Sequence, residues 1–318
     1  LVADVEIAYW ETVLARQRTV IYEEALALAE RQLAEIEQRI RVGSLPETER
    51  ASAQAETAVR REELINARSA QTLAALRLFR LVDPDRLVAP GRNWTPTTAP
   101  TAPDAGADAL SDHLRLALQQ RPDLNQARLL LDKQDVDLET TRNGLLPKLD
   151  FFILLGDTGY ADSFGRAVDR MDGDRLDYRA GLELQVPLGN RDARARHRRA
   201  LLELDQAYGA LSNMTDLARV DVESAYIETQ RTREQITATA TTRRFQEEKL
   251  RAETAKFQVG RSTSLLVAQA QQDRVNSQVA EVKAAVEHLQ ALVRLFRMDG
   301  SLLLRRGIQI PDTAPRGK

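Results

Sequence analysis

Apolar and small residues recur in alternating steps of three and four along much of this chain. From residue 265 they run Leu265, Ala268, Gln272, Val275, Val279, Val282, Val286, Leu289, Val293 and Phe296. A seam of that period, sustained over several heptads, predicts a helix that supercoils left-handedly with a partner. A stretch near the start has the same spacing, through Val5, Ala8, Thr12, Ala15, Thr19, Tyr22, Leu26, Ala29, Leu33, Ile36 and Ile40. The arm that follows keeps the register through Ala51, Ala55, Ala58, Ile65, Leu76 and Phe79, with more small residues that let helices approach closely.

The arms are separated by Arg41-Val-Gly-Ser-Leu-Pro46 and by Gln258-Val-Gly-Arg-Ser262. Glycine suits the left-handed residue that ends a helix, and Ser44 with Glu47 or Pro46 suits a restart. Each pair of arms is then an antiparallel hairpin, with arms of about 36 residues and roughly 54 Å at 1.5 Å per residue. The two hairpins are copies of each other at a constant offset of 217. Asp4-Val5-Glu6-x-Ala8-Tyr9 recurs as Asp221-Val222-Glu223-x-Ala225-Tyr226, and Arg77-Leu78-Phe79-Arg80 as Arg294-Leu295-Phe296-Arg297. A repeat of this length sets the architecture before any motif does. Residues 109 to 217 precede the second copy without a counterpart before the first. The expectation is a duplicated unit cut at its N-terminus, with a signal peptide, a helix and two more amphipathic strands upstream of Leu1.

Between the copies the period changes to two. Leu176, Tyr178, Ala180, Leu182, Leu184 and Val186 alternate with Asp177, Arg179, Gly181, Glu183 and Gln185, which predicts a half-buried strand long enough to cross a bilayer when tilted. Residues 148 to 156 are short, aromatic and branched and read as another strand, although Phe152 and Leu154 interrupt its alternation. A polar loop from Asp157 to Arg175 joins them. Two strands alone leave both edges open. Either they join a sheet in a soluble domain, or strands from several chains close a barrel with apolar side chains toward lipid and polar ones toward a lumen. The residues themselves leave both routes open.

The expected fold class is therefore mainly α with a short β portion. The expected organisation is a first-repeat hairpin over 1–82, a Pro-rich connection over 83–108 running along a surface, and a helix of the second repeat over 109–146. Two strands with their loop follow over 147–188, then the second hairpin over 189–300 and a tail over 301–318. Within 109–146 the helix starts at Ser111 or Asp112, restarts at Arg121-Pro122-Asp123-Leu124 and stops near Asn143-Gly144.

Composition narrows the function. Only 5% of the 318 residues are aromatic while 29% are charged, a profile of long helices with a narrow buried seam. The net charge of −2 gives no basic signature for nucleic acid, and no run of eighteen apolar residues predicts a membrane helix. Cysteine is absent, so there are no disulfides or thiolate metal sites. His113, His197 and His288 lack a second ligand at metal spacing and are expected at the surface. Glu62-Glu63 and Glu247-Glu248 are expected as solvated charge on exposed helix faces rather than acid/base pairs. Neither a phosphate loop nor a nucleophile arrangement is present, so neither enzyme activity nor a cofactor is expected. The cluster Arg191, Arg194, Arg196, His197, Arg198 and Arg199 has no interleaved aromatics; it reads either as a solvated helix start or as a match for phosphate headgroups.

Several stretches together resemble the outer-membrane efflux proteins of the TolC type. They are Arg121-Pro-Asp-Leu124, Leu145-Leu-Pro-Lys-Leu149 leading into a strand, Gln185-Val-Pro-Leu-Gly-Asn-Arg191 leaving one, and the Val-Gly turns followed by Ala/Gln-rich seams. The similarity spans nearly the whole chain apart from the Pro-rich connection and the tail. It implies a homotrimer in the cell outer membrane extending into the periplasm, each protomer giving four strands to a β-barrel and long helices to an α-barrel. Such channels are passive exit ducts of tripartite efflux pumps or type I secretion systems, with a periplasmic adaptor, tied to an inner-membrane pump, docking at the helical tips. By that correspondence Val42, Gly43, Ser44, Val259, Gly260 and Arg261 mark the docking turns. Arg179, Glu183 and Gln185 would face the lumen, and Tyr178, Leu182 and Leu184 would face outer-membrane lipid. Some members carry an acidic ring after the second turn; here the matching positions are Leu266 and Gln269, so no charged ring is carried over. The competing classes are a periplasmic adaptor, which would have a single hairpin between β-rich halves, and a soluble coiled-coil scaffold.

Overall fold

The computed structural model describes residues 1–83, 96–101, 108–157, 162–169 and 176–309. The elements run α1 (Val2–Arg41), α2 (Thr48–Val82), α3 (Leu110–Gln120), α4 (Pro122–Asn143), β1 (Lys148–Asp157), α5 (Phe164–Asp169), β2 (Leu176–Gln185), α6 (Arg191–Gln258), α7 (Ser264–Met298) and α8 (Leu302–Arg305). Most of the Pro-rich connection and the end of the tail lie outside the described residues. Two compact units are present: Leu1–Pro122 with Asp216–Lys318, and Asp123–Thr215.

In the first unit α1 and α2 are antiparallel, tied by Arg61 to Glu30 at 3.0 Å and Arg68 to Glu23 at 2.8 Å. The later part of α6 runs antiparallel to α7, with Arg243 on Glu281 at 2.6 Å and Lys249 on Asp273 at 2.7 Å. Helix α7 also crosses to the first hairpin: Gln290 Nε2 donates to the Ile7 carbonyl at 3.2 Å, and Gln272 Nε2 to Glu63 at 3.3 Å. The apolar core lies far along the helices from the turns. One cluster joins Ala3, Val293 and Leu302, and a second joins Ala117, Val222 and Leu295, flanked by Leu114, Tyr226 and Met298. Residues 301 and 302, expected to open a tail, are buried in this packing, and α8 is held by Arg306 on Glu6 at 2.8 Å.

Two seam expectations change. On α2 the buried residues are Thr57, Arg60, Leu64, Ala67, Ala74 and Leu78, while Ile65 is 62% exposed and Leu76 46%. The buried stripe is one residue earlier than the expected one, a rotation of about 100°. Adjacent apolar pairs such as Leu64-Ile65 and Leu78-Phe79 offer either stripe to a partner, and the close approach selects the one with Ala67 and Ala74. On α7, Val275, Val286 and Val293 are buried as the seam requires, but so are Ala270, Gln271, Ser277, Ala284, His288, Gln290, Ala291 and Leu295, whereas Leu265 is exposed. Helix α7 has neighbours on several sides, so a two-helix seam describes only part of its surface.

In the second unit β1 and β2 pair antiparallel, with Lys148 opposite Gln185 and Phe152 opposite Gly181. The expected polar loop between them contains the short helix α5. Pro122 occupies the first position of α4, where its missing N–H costs nothing.

Candidate functional site

The two turns are closed by the same backbone device. Gly43 and Gly260 have φ of +75° and +74°, the left-handed region where a side chain is strained. Around them Ser44 N–H donates to Arg39 O at 2.9 Å and Gly43 N–H to Ile40 O at 2.9 Å; Arg261 N–H donates to Lys256 O at 2.8 Å and Gly260 N–H to Phe257 O at 3.1 Å. These paired bonds satisfy carbonyls that a helix end leaves orphaned. The restarts differ. The Thr263 hydroxyl caps α7 by accepting from Leu266 N–H at 3.4 Å, whereas α2 has no side-chain cap. Ser44 does not serve the restart expected of it: its hydroxyl donates back to Arg39 O at 2.9 Å and closes α1 instead.

Val42 and Val259 are 72% and 69% exposed, an apolar side chain presented at each turn, and Arg261 is exposed beside the second. Near the turns the hairpins touch through a polar contact, Ser264 Oγ donating to Glu49, and within the second hairpin Ser262 Oγ donates to Glu253 at 2.9 Å. Lys256 and Ser262 together hold the Glu253 carboxyl below the usual range. A cleft of about 100 Å³, lined in part by Ile36, Ala53, Phe257, Val267 and Gln271, separates the hairpins there.

A polar network that the sequence pattern does not disclose links the hairpins farther along. Arg60, 2% exposed, pairs with Glu56 at 2.5 Å and with Glu63 at 2.8 Å, and Glu63 receives Gln272 from α7. Glu63 and Glu247 are thus partners of Arg60 and Arg243 rather than freely solvated charge, while Glu62 and Glu248 are exposed. Gln272, a polar residue at a seam position, is the one signal that pointed toward this network.

The histidines also depart from expectation. His113 is fully buried between the rings of Tyr226 and Phe296, with Asp299 as partner, and His288 is 4% exposed with Nδ1 at 3.2 Å from Thr232 Oγ1. His197 is half-buried beside Thr141. Helix faces that look polar from one strand of sequence become interior where a third helix lies over them. No group of side chains that could hold a metal ion occurs among the described residues.

On the strand pair, direct opposition of Leu149 to Leu184, Phe151 to Leu182, Ile153 to Ala180 and Leu155 to Tyr178 gathers eight apolar side chains on one face. The seven large ones are exposed. The other face mixes Lys148, Asp150, Phe152 and Leu154 with Arg179, Gly181, Glu183 and Gln185. The interruption at Phe152 has a local cause: its ring lies over Gly181, where an added Cβ would come within 2.8 Å of it. An aromatic ring thereby covers the backbone that glycine leaves bare.

No helix among the described residues is long and apolar enough to cross a membrane. A family model described as outer membrane efflux protein matches residues 113–301. The chain belongs to this family. The match takes in nearly the whole second repeat, and the first hairpin is a copy of its hairpin by the internal duplication.

Solved structures agree on the fold of this efflux protein. A membrane protein from Pseudomonas aeruginosa superposes with a TM-score of 0.77 at 22% identity, covering 94% of this chain and 67% of that one. The Campylobacter jejuni CmeC outer membrane channel gives 0.75 at 17%, covering 94% and 62%. The outer membrane protein VceC from Vibrio cholerae gives 0.76 at 18%, covering 94% and 69%. The chain thus spans about two thirds of the length of these structures, and no curated protein matches it. Long helical hairpins with a short β portion are the architecture they share with it.

Proposed function

We propose that this efflux-family chain forms part of a passive exit duct: a homotrimer whose strands close an outer-membrane β-barrel and whose hairpins build a periplasmic tube. The observation that carries this reading is the strand pair, with eight apolar side chains on one face and, on the other, Lys148, Asp150, Arg179, Glu183 and Gln185 around Phe152, Leu154 and Gly181. Such a pair has open edges and an exposed apolar face, and both are satisfied when further strands close a barrel in lipid. Tyr178, Leu182 and Leu184 then meet lipid, and Arg179, Glu183 and Gln185 line the lumen.

Transport energy comes from an inner-membrane pump, and the Val-Gly turns receive the periplasmic adaptor through Val42, Gly43, Ser44, Val259, Gly260 and Arg261. The cleft and the polar contacts near the turns support a gate there, because packing that is not filled by apolar side chains leaves two arrangements close in energy. Efflux and type I secretion both fit this duct.

Membrane fractionation tests the reading. The full-length protein is expected in the outer-membrane fraction, resistant to salt; a soluble, salt-extractable product would instead favour a coiled-coil scaffold or an adaptor. Arg261→Glu tests the docking surface, since unchanged adaptor crosslinking and drug tolerance would remove Arg261 from it.

A further inference from the structure

The start of α6 carries five arginines within nine residues, where the helix dipole repels cations. They fall into two sets. Arg196 pairs with Asp192 and Arg199 with Glu203 at 3.3 Å, all on one stripe. Arg191, Arg194 and Arg198 occupy another stripe, about 60° wide by helical geometry. These three are exposed and form no ion pair with any described residue. Ala200, 4% exposed, and His197, which contacts Thr141 of α4, define the inward side; Arg191 and Arg198 point away from it, and Arg194 lies at its border, exposed.

Directly before them the chain leaves the apolar strand face. Val186 is exposed and Leu188 is 96% exposed, and the turn at Gly189 and Asn190, both with positive φ, then starts α6. Asn190 Nδ2 donates to Gly144 O at 3.4 Å, fixing this start beside the end of α4. Only Gly189 and Asn190 separate Leu188 from Arg191, which places the two Cα atoms roughly 10 Å apart at most. Arg194 and Arg198 follow about 4.5 and 10.5 Å farther along the axis. Side chains on a helix lean toward its N-terminus, so all three lean back toward the strands. The guanidinium groups of Arg191 and Arg194 therefore come nearest the zone of about 5–8 Å in which lipid headgroups border the hydrocarbon, with Arg198 at its outer edge.

We infer that Arg191, Arg194 and Arg198 form a headgroup clamp for anionic phospholipid at the rim where β2 leaves the membrane. Phosphate oxygens accept from planar guanidinium groups in pairs, which is the chemistry three unpartnered arginines offer. The α6 dipole, unfavourable to the arginines alone, favours the phosphate they hold. Nucleic acid does not fit, because no aromatic residue is interleaved and the chain carries a net −2 charge. The clamp rests on the reading of the strand pair as membrane-spanning.

The test uses full-length protein in phosphatidylethanolamine vesicles with or without phosphatidylglycerol. Three forms are compared: wild type, Arg191→Gln/Arg194→Gln/Arg198→Gln, and the control Arg196→Gln/Arg199→Gln. Incorporation is measured first, then the phosphatidylglycerol retained after detergent extraction, by native mass spectrometry. Wild type and control are expected to retain phosphatidylglycerol over phosphatidylethanolamine, and the triple variant to lose about fivefold per arginine removed. Equal retention by wild type and triple variant, with all forms incorporated, overturns the clamp and leaves the channel reading standing. So does equal loss in the control, which would make the effect one of bulk charge. A change in single-channel ion selectivity without a change in retention also overturns it and assigns the stripe to the lumen wall. Failure of the wild type to incorporate removes the channel reading and the clamp with it.

Discussion

His113 Nδ1 donates to the Asp299 carboxylate at 2.6 Å across 186 residues of chain, and neither side chain is exposed at all. Asp299 caps α7, and its other oxygen accepts from Ser301 N–H at 2.8 Å. The bond thus fastens α3 to the junction of α7 and α8. Gly300 lies in the same junction, where a Cβ would come within 3.1 Å of the Gln120 backbone. Replacing His113 by alanine strands a buried carboxylate and opens a cavity between Tyr226 and Phe296. A loss of about 3 kcal/mol is expected. Urea unfolding followed by helical circular dichroism measures it, and an unchanged midpoint would show that the pair contributes nothing.

Arg60 poses a similar problem with two carboxylates. Arg60→Ala leaves Glu56 and Glu63 partly buried and facing each other, with an expected cost of about 3 kcal/mol, whereas Arg60→Met with Glu56→Gln and Glu63→Gln is expected to recover most of it. Gln272→Ala removes only the bridge to α7 and is expected to cost about 1 kcal/mol. Comparison of the unfolding midpoints of the variants checks the order.

The strand faces differ in what they tolerate. Leu182→Arg is expected to weaken membrane insertion by about 2–4 kcal/mol, and Glu183→Arg, one residue along, to leave insertion intact. Folding into vesicles, read by the heat-dependent gel mobility of the barrel, separates them. Equal behaviour of the two variants would mean that the alternation does not distinguish lipid from lumen.

Gly181→Val drives a branched side chain into the Phe152 ring. Strand pairing is expected to lose about 1–3 kcal/mol, and Phe152→Ala in the same chain is expected to restore part of it. The readout is again the folded fraction in vesicles; a null effect of Gly181→Val would mean that the ring moves aside freely.

Burial holds the His288 imidazole below its ordinary pKa of 6.5, Arg233 adds like-charge repulsion, and the Thr229 backbone opposes both. The unfolded chain then takes up a proton more readily than the folded one. This contribution is therefore fully present above about pH 6.5 and is lost as the pH falls below it. His288→Gln is expected to flatten that part of the profile. Thermal unfolding at pH 7.5 and at pH 5.5 would show whether the difference between the two conditions shrinks in the variant.

The hairpins, their glycine turns and the alternation of β2 were all determined by the sequence alone. Each is a local period or a local backbone demand: threes and fours for a supercoiled helix, twos for a strand, a positive φ at Gly43 and Gly260. The internal repeat added the pairing of arms, and the order of the motifs added the family. Tertiary structure decided what distant segments do to one another. Leu64 rather than Ile65 is buried because α1 approaches from one side, and either stripe satisfies the helical period equally well. His113 is interior because α6 and α7 close over α3, and no residue near His113 in the chain encodes Asp299. A period fixes which residues share a face; only the packing of helices from opposite ends of the chain fixes which face is covered.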